Sequence, residues 1–225
     1  MKANLRSNQN ICSVIVDDDH ELIPLKLEYV GEMNGGILSL QIHQLYKNDQ
    51  GDANSPDSKA VLALPKNRSH CITGIECFLN DQKIDIKIEE EKTAKEIAKE
   101  GKKQGRTTIR SDSTPDDQTL KIKLGSIKFG SEIKITIRME IISTNSDSNT
   151  YQTIIPFSEQ TLDPSTQDNF TFSIVFNEIV PINDIDITCS YERSDFEYTF
   201  DGSLLTIDKK PLSKIVILTK LSEKN

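Results

Sequence analysis

Apolar residues recur at every second position along most of the chain. Ile23, Leu25, Leu27 and Tyr29 alternate with Pro24, Lys26 and Glu28, and Leu38, Leu40 and Ile42 with Ser39 and Gln41. Ile84, Ile86 and Ile88 form a third stripe, and Leu120, Ile122 and Leu124 a fourth. The longest runs through Ile133, Ile135, Ile137, Met139 and Ile141, with Lys134, Thr136, Arg138 and Glu140 between. Period-2 spacing puts one set of side chains on each face of a pleated strand, so each stripe predicts a strand with one dry and one wet face. Antiparallel sheets are built this way, whereas strands of a buried parallel sheet are apolar throughout.

The second half continues the pattern in Phe170, Phe172, Ile174 and Phe176, and in Ile185, Ile187, Cys189 and Tyr191. Phe196, Tyr198 and Phe200 lead into Asp201-Gly202, with Leu205 and Ile207 beyond, which predicts a tight hairpin because Gly accepts positive φ. Asn80-Asp81 ahead of Ile84 is a second turn signal. Ile215 to Leu218 is apolar at every position and predicts a central strand.

One segment follows a different period. From Glu89 to Gly105, Ala94, Ile97, Ala98, Gly101 and Gly105 fall at helical spacing, with Glu89 to Glu91 at the start and Lys99, Lys102 and Lys103 near the end. That order complements the helix dipole, and Gly105 supplies a left-handed cap. Polar connections are expected over residues 48–58, 111–118, 144–149 and 160–168. The predicted fold is therefore an all-β, antiparallel β-sandwich with one short amphipathic helix at about 89–104. The expected units are a β-sandwich domain over 11–158 and a C-terminal β extension over 159–225, packed on the same sandwich.

Composition narrows the function more than the fold. The chain has 225 residues, 27 basic and 35 acidic, for a net charge of −8. Strong non-specific binding to nucleic acid or anionic membrane needs the opposite balance, so neither is expected as a partner. No run approaches the ~20 apolar residues of a membrane helix, and no membrane insertion is expected. The apolar run Ile11 to Val16 ends at Asp17-Asp18-Asp19, which does not read as a secretory leader. Cys12, Cys71, Cys77 and Cys189 lack metal or redox spacing and are read as reduced thiols of a cytoplasmic protein.

Few residues carry the pattern of a reactive site. Asp17-Asp18-Asp19-His20 has metal-binding residue types, but consecutive extended residues point to opposite sides, which favours a solvated acidic turn. His43 and His70 lie in predicted strands without carboxylates or thiols at ligand spacing. Gly35-Gly36 and the glycines of 125–130 lack the strand–loop–helix context and the lysine of a phosphate loop. The lysines of the helical segment alternate with glutamates and lack aromatics for base stacking, as a solvated face does. No catalytic residue, cofactor or metal is expected, and no enzymatic activity.

Five motifs in order give a resemblance. They are Gln44-Leu45-Tyr46-Lys47-Asn48, the strand Ala60 to Leu64 ending in Pro65, Glu91-Lys92 opening the helical segment, the small residues Ala94, Ala98, Gly101 and Gly105 within it, and Leu124-Gly125-Ser126-Ile127-Lys128-Phe129-Gly130 before the longest stripe. Residues 41–158 resemble the VIT domain (vault protein inter-alpha-trypsin domain), in which a tyrosine stands at the second of those helical positions and an alanine at the third, where this chain has Ala98 and Gly101. The resemblance implies structural roles for Gln44, Tyr46, Asn48, Pro65, Glu91, Lys92, Ala94, Gly105, Gly125 and Gly130. It also implies an interaction or scaffold module within a larger assembly, with protein partners such as a von Willebrand A domain in the same or another chain. The alternative it implies is a secreted or surface adhesion and ligand-binding protein of the inter-alpha-trypsin heavy chain type, to which the sequons at Asn67 and Asn169 would belong.

Overall fold

In the computed structural model the residues described are 13–17, 20–65, 69–84, 86, 111–112, 119–145, 150–156, 169–177, 182–189, 197–207 and 215–221. The predicted helix at 89–104 lies outside them. All regular elements among the described residues are strands apart from a single 3₁₀ position at Asn169, and they form three sheets.

The largest sheet has eight strands in the order β15-β16-β13-β3-β4-β10-β6-β7. Its centre is β3 (Lys26–Asn34), β4 (Ile37–Lys47) and β10 (Glu132–Ile142), flanked by β6 (His70–Leu79) and β13 (Phe170–Phe176). Its edges are β7 (Gln82–Ile84) on one side and β16 (Leu204–Ile207) with β15 (Tyr198–Phe200) on the other. A second sheet, β2-β1-β5-β9-β8, is built on β1 (Ser13–Val16), β5 (Ser58–Pro65) and β9 (Thr119–Ile127), with His20–Glu21 and Ser111–Asp112 as short β2 and β8. The third, β11-β12-β17-β14, joins β12 (Thr150–Ile155), β17 (Ile215–Leu221) and β14 (Ile182–Cys189), with Thr144–Asn145 as β11.

The stripes become the core. Every apolar member of the β10 stripe is buried, as are Leu38, Leu40 and Ile42 of β4 and all four of the Phe170 to Phe176 stripe. The inner faces of all three sheets feed one cluster, in which Tyr29 packs against Phe170 and Phe172 at ring-centroid distances of 6.3 and 6.0 Å. Burying one such aliphatic side chain contributes about 1.5–3 kcal/mol, so the long alternating strands supply much of the driving force.

The turns follow their residue types. Gly35 and Gly36 join β3 to β4, and Asn80 and Asp81 join β6 to β7, with positive φ at both positions of each pair. That is the backbone of the two-residue hairpin turn whose twist matches the flanking strands. Gly202 has φ 97° in the β15–β16 hairpin. The apolar run Ile215–Leu221 is central, paired with β12 on one side and β14 on the other.

Two features depart from simple expectation. Strand β3 starts at Lys26, and Ile23 is exposed in the connection before it rather than part of a stripe. Pairing is antiparallel throughout except for β13, which lies parallel to β3 over seven residue pairs. Alternation is indifferent to strand direction when one face stays wet, so it carries no sign of that parallel pair. Through it the segment after residue 168 enters the largest sheet.

Candidate interaction surface

Two of the sequence motifs, 80 residues apart, meet at one end of the largest sheet. Asn48, fully buried, follows β4 and faces the turn between β9 and β10. Its backbone N–H donates to Ser131 O (2.9 Å) and its carbonyl accepts from Gly130 N–H (2.8 Å). Its side-chain amide donates to Lys128 O (3.0 Å), and Oδ1 accepts from Gln50 N–H (3.1 Å). The turn needs Gly130, whose φ is 76°. Gly125, with φ 99°, marks a bulge where β9 slips by one residue against Ala60 and Val61.

Tyr46 and Gln44 project from β4 into the core, at 1% and 3% exposure. Pro65 closes β5 opposite Thr119. Glu91, Lys92, Ala94 and Gly105 lie outside the described residues. The motif positions that are described therefore organise a core and a turn.

Asp18 and Asp19 lie outside the described residues, and the described residues with metal-binding or catalytic types are committed elsewhere. Asp17, in the left-handed region at φ 50°, accepts from Lys59 N–H (2.8 Å), and that bond holds its carboxyl below the usual range. His20 Nε2 lies 2.8 Å from the Gln50 amide. His43 Nδ1 is 3.0 Å from Thr136 Oγ1 on the outer face. His70, half-buried, donates from Nε2 to Ile154 O (3.0 Å) and ties β6 to β12, and its desolvation lowers its pKa. Burial pushes the Cys77 thiol up to about 12, while Cys71 is exposed. Among the described residues, no three His, Cys, Asp or Glu side chains converge as metal ligands would.

The outer face of the eight-stranded sheet is broad and open. One end is a mosaic of ion pairs. Arg138 reaches Glu76 at 3.1 Å and, with Lys83, holds the Glu76 carboxyl low. Lys134 lies 2.6 Å from Asp81 and 3.4 Å from Glu132, and the bond to Asp81 above all raises its pKa.

The other end is different. Eight large apolar side chains stay exposed among the described residues, and five of them are here: Val30, Ile37, Ile142, Val175 and Leu204. Register makes them neighbours. Leu204 pairs with Val175, Val175 with Glu32, Glu32 with Ser39, and Ser39 with Glu140, so these five residues cross the sheet in one row. Ile37 and Ile142 pair beside that row, and Val30 lies on its other flank between Ser173 and Gln41. Ser39 Oγ donates to Glu140 Oε2 at 2.8 Å. Sequence reasoning missed this surface because it tracked the buried phase of each stripe. The signal was aliphatic residues at positions the alternation reserves for polar ones.

A scan against family models matches residues 25–139, just over half of the chain, to the vault protein inter-alpha-trypsin domain. The chain belongs to the VIT domain family. The match starts at Leu25, beside the first residue of β3, and ends within β10, so it contains the Asn48–Gly130 clamp and both central hairpin strands. It begins earlier and ends earlier than the motif order implied. No curated protein matches the sequence.

Among solved structures, leukotriene A4 hydrolase from Saccharomyces cerevisiae is similar at 10% identity and a TM-score of 0.46, over 98% of this chain and 32% of that one. An M1 zinc metallopeptidase E323A mutant from Deinococcus radiodurans is similar at 9% identity and a TM-score of 0.37, over 92% of this chain and 42% of that one. The VIT chain thus spans about a third of the first and under half of the second. Both likenesses are distant, and neither bears on fold or activity.

Proposed function

We propose that this VIT-domain chain is a non-enzymatic protein–protein interaction module, a cytoplasmic subunit of a larger assembly that engages a protein partner on the open face of its largest sheet. The observation that carries the reading is the cluster of five exposed aliphatic side chains at one end of a face whose other end is ion-paired. Scattered exposed apolar residues are ordinary, but five gathered at one end of a sheet around Glu32, Ser39 and Glu140 have the mixed composition of a binding surface. The resemblance noted from sequence supplies a partner type, a von Willebrand A domain in the same chain or another. Size fractionation of native extract tests the reading. The chain should migrate well above its own 25.3 kDa, and a Val175→Arg substitution should return it toward that mass. Elution of the unaltered chain at the mass of a single copy would end the proposal.

A second reading is favoured by one observation. The sequon Asn169-Phe170-Thr171 has both its Asn and its Thr exposed, as a glycosylated position would need. In this reading the chain is a secreted adhesion or ligand-binding protein of the inter-alpha-trypsin heavy chain type. A mass decrease at Asn169 on enzymatic deglycosylation of native protein would establish it. An unmodified Asn169 together with reduced cysteines would reject it.

A further inference from the structure

We infer that the apolar end of the outer face recognises a cationic partner segment, one that sets arginine or lysine side chains among aliphatic ones. The inference rests on the interaction reading above and specifies its chemistry. Its basis is the pair Glu32 and Glu140, which flank Ser39 on the same row. Elsewhere on this face exposed carboxylates are answered: Glu28 by Lys26 at 3.6 Å, Glu76 by Arg138 and Lys83, Glu132 and Asp81 by Lys134. Neither Glu32 nor Glu140 meets a cation among the described residues.

Their surroundings sharpen the contrast. Val175 and Leu204 continue the row on one side, while Ile37, Ile142 and Val30 border it. A carboxylate beside aliphatic groups loses hydration when a partner covers them, and a partnering cation offsets that loss. A purely apolar partner would bury two unpaired charges. A basic, aliphatic-rich segment satisfies both halves of the surface at once.

The geometry sets the spacing. Neighbouring strands lie about 4.8 Å apart, so Glu32 and Glu140 are about 10 Å apart and the row from Leu204 to Glu140 spans about 19 Å. Residues seven apart on a helix are separated by about 10.5 Å along its axis. A second copy of this chain is a poor occupant, because a two-fold contact would set this acidic row against itself in a chain of net charge −8.

The test uses the full chain and an 18-residue amphipathic helical peptide with a leucine face bordered by arginines seven positions apart. The control peptide replaces each arginine with glutamate. Backbone amide shifts should move on β16, β13, β3, β4 and β10 with the arginine peptide and not with the control. The double substitution Glu32→Arg/Glu140→Arg should weaken binding at least tenfold and transfer preference to the glutamate peptide. Asp184→Arg/Asp186→Arg, an equal charge change at exposed positions of β14, should alter affinity less than threefold. Equal losses from both pairs would mean that net charge alone attracts the peptide, and the inference would fall. Shifts confined to other strands would also overturn it, as would a concentration-dependent dimer that the Glu32 and Glu140 changes dissociate. Each of these results leaves the interaction reading standing if the native chain still migrates in a complex.

Discussion

Replacing Asn48 with alanine removes a side chain that ties the end of β4 to the turn before β10. Two hydrogen bonds disappear, from Nδ2 to Lys128 O and from Gln50 N–H to Oδ1. Each contributes about 0.5–1.5 kcal/mol net. Lys128 O keeps a partner, because Ser131 N–H also donates to it at 3.1 Å. Gln50 N–H does not keep the amide oxygen, and the buried site is left with a small void that adds to the cost. The expected loss is about 2–3 kcal/mol, or roughly 5–10 °C in Tm for a chain of this size. Urea unfolding followed by circular dichroism would read it as a lower midpoint at unchanged slope. Asn48→Asp should lose at least as much, since it points a carboxylate oxygen at the Lys128 carbonyl. A loss below about 0.5 kcal/mol for the alanine variant, within the range of a neutral surface change, would refute the clamp.

Three further outcomes follow from the same structure. Gly130→Ala should cost about 1–2 kcal/mol from backbone strain alone, because φ is 76° and a methyl group there meets nothing within 4 Å; Gly31→Val should cost more, as a Cβ would crowd the backbone oxygen of Ser39 at 3.3 Å as well as the buried Leu38 side chain at 2.8 Å, and both are read by the same urea titration. Alkylation of native protein at pH 8, mapped by peptide mass, should label exposed Cys71 and spare Cys77, whose thiol is pushed up to about 12 and whose thiolate is the reactive form. His70 has a folded pKa below its ordinary 6.5, so below 6.5 the unfolded chain binds more protons than the folded one. Stability should therefore be complete above that value and fall as pH drops through it, and His70→Gln should flatten this part of the stability–pH curve.

Much of the fold was legible because burial on one face leaves a period in the sequence. The stripes at Ile133 to Ile141 and Phe170 to Phe176 became fully buried strand faces, and Asp201-Gly202 became a hairpin. Asn80-Asp81, a weaker turn signal, adopted positive φ at both residues because short polar side chains tolerate the left-handed region. The parallel pairing of β13 with β3 was not legible, since it joins residues more than 140 positions apart and direction does not alter alternation. The strands at 182–189 and 215–221 likewise gave no sign that they would leave the main sheet and join Thr150–Ile155.

Of the motif residues, Asn48 and Gly130 meet in the structure: a buried amide and a positive-φ glycine complete one turn from two ends. The candidate surface was hidden because Val30, Ile37 and Val175 look like imperfections of a stripe. Only register places them beside Ile142, Leu204, Glu32 and Glu140.

Cross-linking mass spectrometry on size-fractionated native extract would show whether the outer face of the largest sheet holds a protein partner. Lys26, Lys134 and Lys83 lie along one row of the outer face, separated by Leu45 and Phe78. Reproducible cross-links from these lysines to one defined neighbour are expected, in fractions well above the mass of a single chain. Cross-links only from Lys59 or Lys128, or elution of a lone chain with none, would contradict it.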